Sequence, residues 1–417
     1  MTRPPSQAEL EALAERALAQ LDGEGRVTAW WERRAESTPG SLRGSEDVRV
    51  ELAVGQAKVE TTQVDDEGLR VAAAAAARLG GDRARELPEP AVGRPHEAYD
   101  PSAGSLAALA EAASTASPAA SAEVAATGAR AGWADVATAG RIAWWTSAAG
   151  KIAIASTRGV RAYEQRSFAG VRLFGLGSGR RRGALTAAAS GLAGIDFAGL
   201  VAELDALTGT GEPVDVAPGE HPVVLAPWAV AGVLERLSFQ LHELVERRGT
   251  RVVAPCINLS DSPRFPGTLA RSYDVEGMPK QPVPLIQDGV AHRGVDRATG
   301  HAPSLGERPR PEHLVLVGGG AADVAELAAG LGDGLLIGAL EPDGYVPGAR
   351  VIAGGELGPP AKDFRVELDP LEVLAATDAL TSRQRLVPSA DWRSVRSIGA
   401  MVVPALRARA GIRVVRS

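Results

Sequence analysis

The stretch Val48-Arg49-Val50-Glu51-Leu52-Ala53-Val54-Gly55-Gln56-Ala57-Lys58-Val59-Glu60-Thr61-Thr62-Gln63-Val64 holds two strand-like runs, 48–54 and 59–64, joined by a short glycine-containing connection of hairpin type. Residues 69–79 follow, with an alanine run at 72–77 flanked by Arg70 and Arg78, and this pattern predicts a helix. Strands adjacent in sequence pair antiparallel, and a helix behind them makes a unit of α+β type.

Working outward, residues 6–21 place Leu10, Leu13, Ala17 and Leu21 at helical spacing, and residues 27–35, with Trp30 and Trp31, read as a strand. From 80 to about 104 the chain is rich in Pro, Gly and charge without any period, which predicts a linker. Residues 105–128 are Ala- and Ser-rich and read as helix. Four strands are expected at 131–143, 151–156, 160–168 and 170–175, with turns at Ala149-Gly150 and Arg158-Gly159. A second Pro/Gly-rich boundary spans 209–221. Beyond it a helix is expected at 229–248, then short β-like runs and one clear helix at 321–331. No repeat of fixed period is present. The expected architecture is α+β: an N-terminal α/β domain with mixed or antiparallel strands over 1–208, then a mainly antiparallel, β-rich C-terminal domain over 218–417.

Composition narrows the function classes. The 417 residues are 45% hydrophobic but only 4% aromatic, so the core is built mainly from Ala, Val and Leu, and 48 Gly with 28 Pro imply many tight turns. A net charge of −6 argues against a dedicated nucleic-acid binder. The single cysteine, Cys256, excludes an internal disulfide framework and any Cys-cluster metal site. Met1-Thr2-Arg3-Pro4-Pro5-Ser6 leads into an acidic amphipathic stretch, not an apolar signal region, and no window approaches 18 uninterrupted apolar residues. A cytoplasmic protein without a membrane partner is expected.

The residues that could carry chemistry do not assemble a centre. A helical zinc-protease motif needs a second His one turn after His-Glu; His96-Glu97 meets Asp100 and Pro101, and His242-Glu243 meets Glu246 and Arg247. His242 and Glu246 could share a helix face, but Glu243 and Arg247 equally form a surface pair. Gly318-Gly319-Gly320 after an apolar run resembles a phosphate loop, yet Asp323 stands where the dinucleotide fingerprint requires its third glycine. Gly175-Leu176-Gly177-Ser178-Gly179 before Arg180-Arg181-Arg182 lacks the Gly-Lys-Ser/Thr ending and reads equally as a turn between strand and helix. No Gly-x-Ser-x-Gly elbow occurs, and Cys256 lies in an apolar run, Val252 to Ile257, where a thiol is packing rather than nucleophile.

Several ordered blocks carry a family resemblance: Ser260-Asp261-Ser262-Pro263, Ser272-Tyr273-Asp274-Val275-Glu276-Gly277-Met278-Pro279, Pro284-Leu285-Ile286-Gln287-Asp288-Gly289-Val290, and His313-Leu314 through Gly320. They resemble, in order, the Asp-x-Pro, Phe-Asp-x-Glu-Gly-x-Pro, Leu-Ile-x-x-Gly and Asn-Leu-x-x-x-x-Gly blocks of the TldD/PmbA peptidase family, once called modulators of gyrase. Residues 152–160 and 48–77 are similar to its N-terminal elements. Where the metal-bearing TldD branch has a His-Glu-x-x-x-His helix, this chain reads Val223-Val224-Leu225-Ala226-Pro227-Trp228-Ala229-Val230-Ala231, similar to the aliphatic PmbA/TldE pattern. The resemblance implies a metal-less TldE-like subunit, with no cofactor of its own, pairing with a TldD-like subunit that carries zinc. The pair would cleave unfolded, trimmed or modified peptides, with relatives acting in peptide maturation and natural-product pathways. Two departures stand out. The tract from Ser37-Thr38-Pro39-Gly40 onward reads as a disordered insertion, and His313 replaces the usual Asn.

No catalytic or metal residue is assigned. The candidate peptide-positioning or subunit-interface residues are Arg271, Tyr273, Asp274, Glu276 and Gly277. On a strand, Asp274 and Glu276 would present both carboxylates to one face, with Arg271 and Tyr273 on the other, near a shared chamber. A stand-alone binding or scaffold protein of the same fold is the alternative, and a nucleotide-dependent enzyme resting on the glycine loops is the third reading.

Overall fold

Trp30 and Trp31 are neighbours in a strand, so their side chains leave opposite faces of the sheet. The computed structural model describes residues 3–80, 87–91, 93, 99–116, 141–177, 180–266, 268–269, 271–303, 308–388, 394–396 and 399–415, the side chains of 116, 176–182, 242 and 243 excepted. Six antiparallel strands, β1 (Arg26–Thr38), β2 (Ser41–Val54), β3 (Ala57–Thr61), β4 (Arg141–Ser156), β5 (Arg161–Gly177) and β6 (Arg180–Ala189), form one sheet in the order β3-β2-β1-β4-β5-β6. Trp31 is fully buried under α1 (Gln7–Leu18) and α2 (Asp66–Gly80), among Leu10, Leu13, Leu52 and Leu69. A capping box between Ser6 and Glu9 starts α1, and Ala72, Ala73 and Ala76 let α2 lie close to the sheet. Trp30 faces the other way, against Ile152, Ile154, Ala162 and Tyr273 of the C-terminal half.

After β6 come the helices α4 (Phe197–Thr208), α5 (Pro227–Leu244), α6 (Val324–Leu331) and α7 (Pro370–Ala375), α3 (Leu106–Ala116) having come before β4. A ten-stranded sheet runs in the order β11-β10-β9-β12-β19-β8-β13-β15-β16, with β18 pairing β19. Its strands are β8 (Val223–Leu225), β9 (Leu259–Asp261), β10 (Val283–Gln287), β11 (Val290–Ala291), β12 (Leu314–Leu316), β13 (Gly334–Ile337), β15 (Ala349–Ala353), β16 (Glu356–Pro360), β18 (Thr377–Pro388) and β19 (Ala400–Ala408). A smaller sheet, β14-β17-β20-β7, joins β7 (Gly219–Glu220), β14 (Tyr345–Val346), β17 (Phe364–Leu368) and β20 (Ile412–Val415). The α+β class holds. The pairing is mainly antiparallel, and β12–β19 and β8–β13 are parallel. One apolar core takes in Trp145, Val171, Leu173 and Leu185 of the first sheet, Leu200, Leu204 and Leu207 of α4, and Leu225, Val230, Leu234 and Leu237 around α5. Each such fully buried side chain contributes about 1.5–3 kcal/mol relative to exposure.

Several local expectations change. The tract after Ser37 is an ordered hairpin: Thr38 pairs with Ser41, and Pro39-Gly40 make the turn with Gly40 at φ +75°. Ala149-Gly150 is no turn, because β4 runs straight through it. Gly150 instead answers to packing, since a Cβ there would clash with Val395 Cγ2. The runs 160–168 and 170–175 are one strand, β5, and Gly177 pairs with Arg180, so strand follows strand where a helix was expected. The turn at Arg158-Gly159 is present, with Gly159 at φ +89°. The expected segment 131–140, the end of the 105–128 helix and much of the 80–104 linker lie outside the described residues.

The short segment Ser394-Val395-Arg396 ties the two halves together. Ser394 Oγ donates to Glu32 Oε2 at 2.7 Å, Val395 packs on Ala148 and Phe168, and Arg166 donates to the Val395 carbonyl. Gly150→Val restores a strand-favouring side chain but displaces Val395. It should therefore lower stability by about 1–3 kcal/mol, read as a lower urea midpoint; an unchanged midpoint would show that Val395 does not need that space.

Candidate functional site

On the face shared with Trp30, β1 and β2 alternate charge. The register sets Glu32 opposite Asp47 and Trp30 opposite Arg49. Arg49 bridges Asp47 at 2.7 Å and Glu60 at 2.9 Å. A cleft of about 590 Å³ lies between this face and the C-terminal half, where Phe239, Arg271, His301 and Glu312 line it. Arg396 stacks 4.0 Å above the Trp30 ring and reaches Glu51 at 3.1 Å, while Arg26 reaches the same carboxylate at 2.9 Å. Burial works against the Glu51 charge, but Arg396, Arg26 and Lys58 outweigh it and hold the carboxyl at about 2.

Beneath the cleft lies a buried ionic network. Asp261, at the end of β9, accepts the Glu312 amide at 2.7 Å on Oδ2, and His301 Nε2 lies 3.2 Å from the same oxygen. Glu312 sits between Arg271 at 2.9 Å and Lys280 at 2.8 Å. Burial opposes ionisation of Asp261, yet the close approach of His301 and the Lys280 charge bring it down to about 2. Glu312 is likewise held well below the usual carboxylate range against burial, by Arg271 and Lys280. His313, completely enclosed with both ring nitrogens unpartnered, is pushed down to about 3 by burial, with Lys280 and Arg166 adding to the effect against Asp261 and Glu312.

The five candidate residues come together, but as a turn and not a strand. Tyr273 bridges Pro279, the Asp274 amide donates to the Met278 carbonyl at 2.9 Å, and Gly277 turns the chain at φ +83°. The two carboxylates do not share an open face. Asp274 accepts three backbone amides, from Glu276 at 2.8 Å, Met278 at 3.0 Å and Ala302 at 2.8 Å, while buried Glu276 pairs with Arg297 at 2.8 Å. Sequence spacing cannot distinguish a strand from a turn that consumes its own carboxylate. Tyr273 packs on the first sheet, and a Cβ at Gly277 would meet Val160 Cγ1 at 2.6 Å. Of the five, only Arg271 lines the cleft, with Val275 beside it.

Lys280, His301 and Glu312 have no sequence signal, because they are brought together only by tertiary contact. The cleft wall did leave one, the period-two charges at Glu32, Arg34, Asp47, Arg49 and Glu51. The glycine loop at 318–320 packs on β18, where Cβ atoms at Gly318 and Gly319 would meet the Thr381 and Leu380 carbonyls. The end of α6 beside it is already capped by Asp323, which accepts the Glu326 amide at 2.9 Å. His96 and the side chain of His242 lie outside the described residues. Burial raises the half-buried Cys256 thiol, the opposite of nucleophile activation.

The site can hold and orient a chain, and among the described residues no nucleophile–base pair stands open in it. His301 is enclosed between Asp261 and Thr299, whose Oγ1 lies 3.1 Å from Nδ1. Among the described residues no three His, Cys, Asp or Glu side chains could hold a metal ion. The segment 223–231 offers none: Val223, Val224, Leu225, Ala226, Ala229 and Val230 are all core. No helix among the described residues is long and apolar enough to cross a membrane.

This fold, two sheet systems clasping a cleft, defines a class known from solved structures. Residues 218–414 match the family model described as PmbA/TldA metallopeptidase C-terminal domain. TldE from Thermococcus kodakarensis is similar at 17% identity and a TM-score of 0.74, over 97% of this chain and 99% of that one. A putative modulator of DNA gyrase from Thermotoga maritima is similar at 14% identity and 0.68, over 97% and 100%. Another from Bacteroides thetaiotaomicron matches at 14% and 0.69, over 98% and 99%. No curated protein matches the chain in sequence.

Two outcomes follow. Asp274→Ala leaves three buried amides without an acceptor and should cost on the order of 3 kcal/mol, with Asp274→Asn milder; equal stability of all three proteins would contradict the assigned role. For His313 the folded pKa of about 3 lies below the ordinary 6.5, so the unfolded chain takes up the proton first. Stability is thus complete above about pH 6.5 and falls between 6.5 and 3, by up to about 1.4 kcal/mol per pH unit. His313→Asn should flatten the part of that window above about pH 4.5 while leaving the losses carried by Glu51, Glu312 and Asp261 below it. Superimposable pH–stability curves would contradict it.

Proposed function

We propose that this chain is the metal-less, TldE-like subunit of a heteromeric metallopeptidase of TldD/TldE type. It works in the cytoplasm on unfolded, trimmed or modified peptides, and zinc belongs to the partner subunit. The observation that carries the reading is the opening of the C-terminal domain, β8 and the first turns of α5. There Val223, Leu225, Ala229 and Val230 fill the core at the place where the metal-bearing branch has its His-Glu-x-x-x-His helix. A metal does not fit those side chains, and no step of the chemistry is routed through this chain.

Its contribution is to shape and hold. The cleft wall is a rigid sheet whose charges are largely neutralised among themselves, a surface suited to holding a peptide without demanding a particular side chain. In this reading the turn 271–277 serves by fixing the cleft wall and its junction with the first sheet. The purified chain should leave unstructured peptides intact and show hydrolysis only when mixed with a family member carrying the His-Glu-x-x-x-His helix, that activity being lost on chelation. Chelator-insensitive hydrolysis by the chain alone would overturn the reading. A chain that binds peptide but gains no activity with any such subunit would favour the stand-alone binding protein.

A further inference from the structure

The apolar side chains of α5 repeat along one stripe, with Val230, Val233, Leu234, Leu237, Leu241 and Leu244 all in the core. Phe239 lies midway between Leu237 and Leu241, about 200° round the helix from either, and so points away from that stripe. Its neighbours along the chain there, Glu235, Arg236, Ser238 and Gln240, are polar. An amphipathic helix puts a polar residue at such a position. Phe239 is instead 59% exposed, and among the described residues it is the only exposed aromatic side chain.

That ring lines the cleft, beside Glu235 and Ser238 of the same helix. The Arg310 guanidinium lies 4.5 Å from its centroid, a cation–π approach that fixes the orientation of the ring. None of the other exposed large hydrophobic side chains among the described residues lines the cleft. A protein-docking face would spread several such groups over a contiguous patch. One ring in a concave, otherwise polar wall suits one incoming side chain.

The charges of the wall sharpen the contrast. Arg49 is held by Asp47 and Glu60, Glu51 by Arg26 and Arg396, and Glu312 by Arg271 and Lys280. A charged group entering the cleft must compete with a partner already in place. An apolar group laid on Phe239 removes apolar surface from water on both sides of the contact. The cleft volume of about 590 Å³ falls within the range that encloses a small ligand, room for a short length of chain.

We infer that Phe239 is a specificity-determining residue of the cleft, receiving one large apolar side chain of the bound peptide, an aromatic ring above all. The inference rests on the peptide-holding role proposed above and adds to it the one place where a side chain is selected. Offset or edge-on packing of two rings supplies a preference for aromatic over aliphatic groups.

The test compares two short, end-capped, uncharged Gly/Ser peptides, one with a central phenylalanine and the other with alanine in its place. Affinity is measured for the full-length chain alone and for its mixture with a chelator-treated family member carrying His-Glu-x-x-x-His, so that peptide is held without being cut. Wild type should prefer the phenylalanine peptide by at least about tenfold. The preference should be the same at about 50 and about 300 mM salt, because an apolar contact is not screened. Phe239→Ala should bring the two affinities within about twofold with its melting temperature unchanged, and Phe239→Tyr should keep the preference to within about threefold of wild type. If wild type binds both peptides equally, or Phe239→Ala keeps the full preference, the assignment is wrong while the peptide-holding role stands. If wild type binds neither peptide, alone or in the mixture, the peptide-holding role fails and takes this inference with it. If Phe239→Ala loses association with the other subunit but keeps the peptide preference, the ring is a subunit contact and the inference is overturned.

Discussion

A sheet with two faces needs two covers, and this requirement organises the molecule. One face of the first sheet is apolar at alternate positions and is closed by α1 and α2 over Trp31, Leu52 and Leu69. The other begins apolar at Trp30 and then turns charged, so helices cannot close it by the hydrophobic effect alone. It is closed instead by the C-terminal half, which brings Tyr273 to Trp30, Arg396 to Glu51, and Ser394 to Glu32. Where that closure stops, the cleft begins.

The same requirement explains the network under the cleft. Arg166, Arg271 and Lys280 face Glu164, Asp261 and Glu312, with Glu164 accepting the Ser272 amide at 2.8 Å. Buried cations and carboxylates offset one another here, with half-buried Glu312 completing the set at the cleft. Removing one partner of such a set costs far more than the set contributes as a whole. Such an arrangement fixes the geometry of two loops against a sheet.

Fold class was legible because it rests on local periodicity, and the hairpin of β2 and β3 with α2 behind it is visible in the order of residues 48–79. What escaped was set by contacts distant in sequence. Gly150 reads as a turn until Val395, from the other end of the chain, is seen to occupy its missing side chain. Pro39-Gly40 reads as disorder until the two long strands it joins are known to pair. At the site, the family blocks drew attention to Asp261 and to residues 272–279, but their spacing could not reveal that Asp274 spends its oxygens on its own turn and on the Ala302 amide. Lys280, His301 and Glu312 lie apart in otherwise ordinary sequence and acquire meaning only when the loops converge.

The most direct test of the central claim, that this chain is the subunit without metal, is elemental analysis. The zinc content of the isolated chain should be set beside that of its complex with the His-Glu-x-x-x-His subunit. A metal-less chain predicts well under about 0.1 zinc per isolated chain and about one per pair in the complex, because a catalytic zinc wants three protein ligands and the core of α5 supplies none. About one tightly held zinc per isolated chain would contradict it.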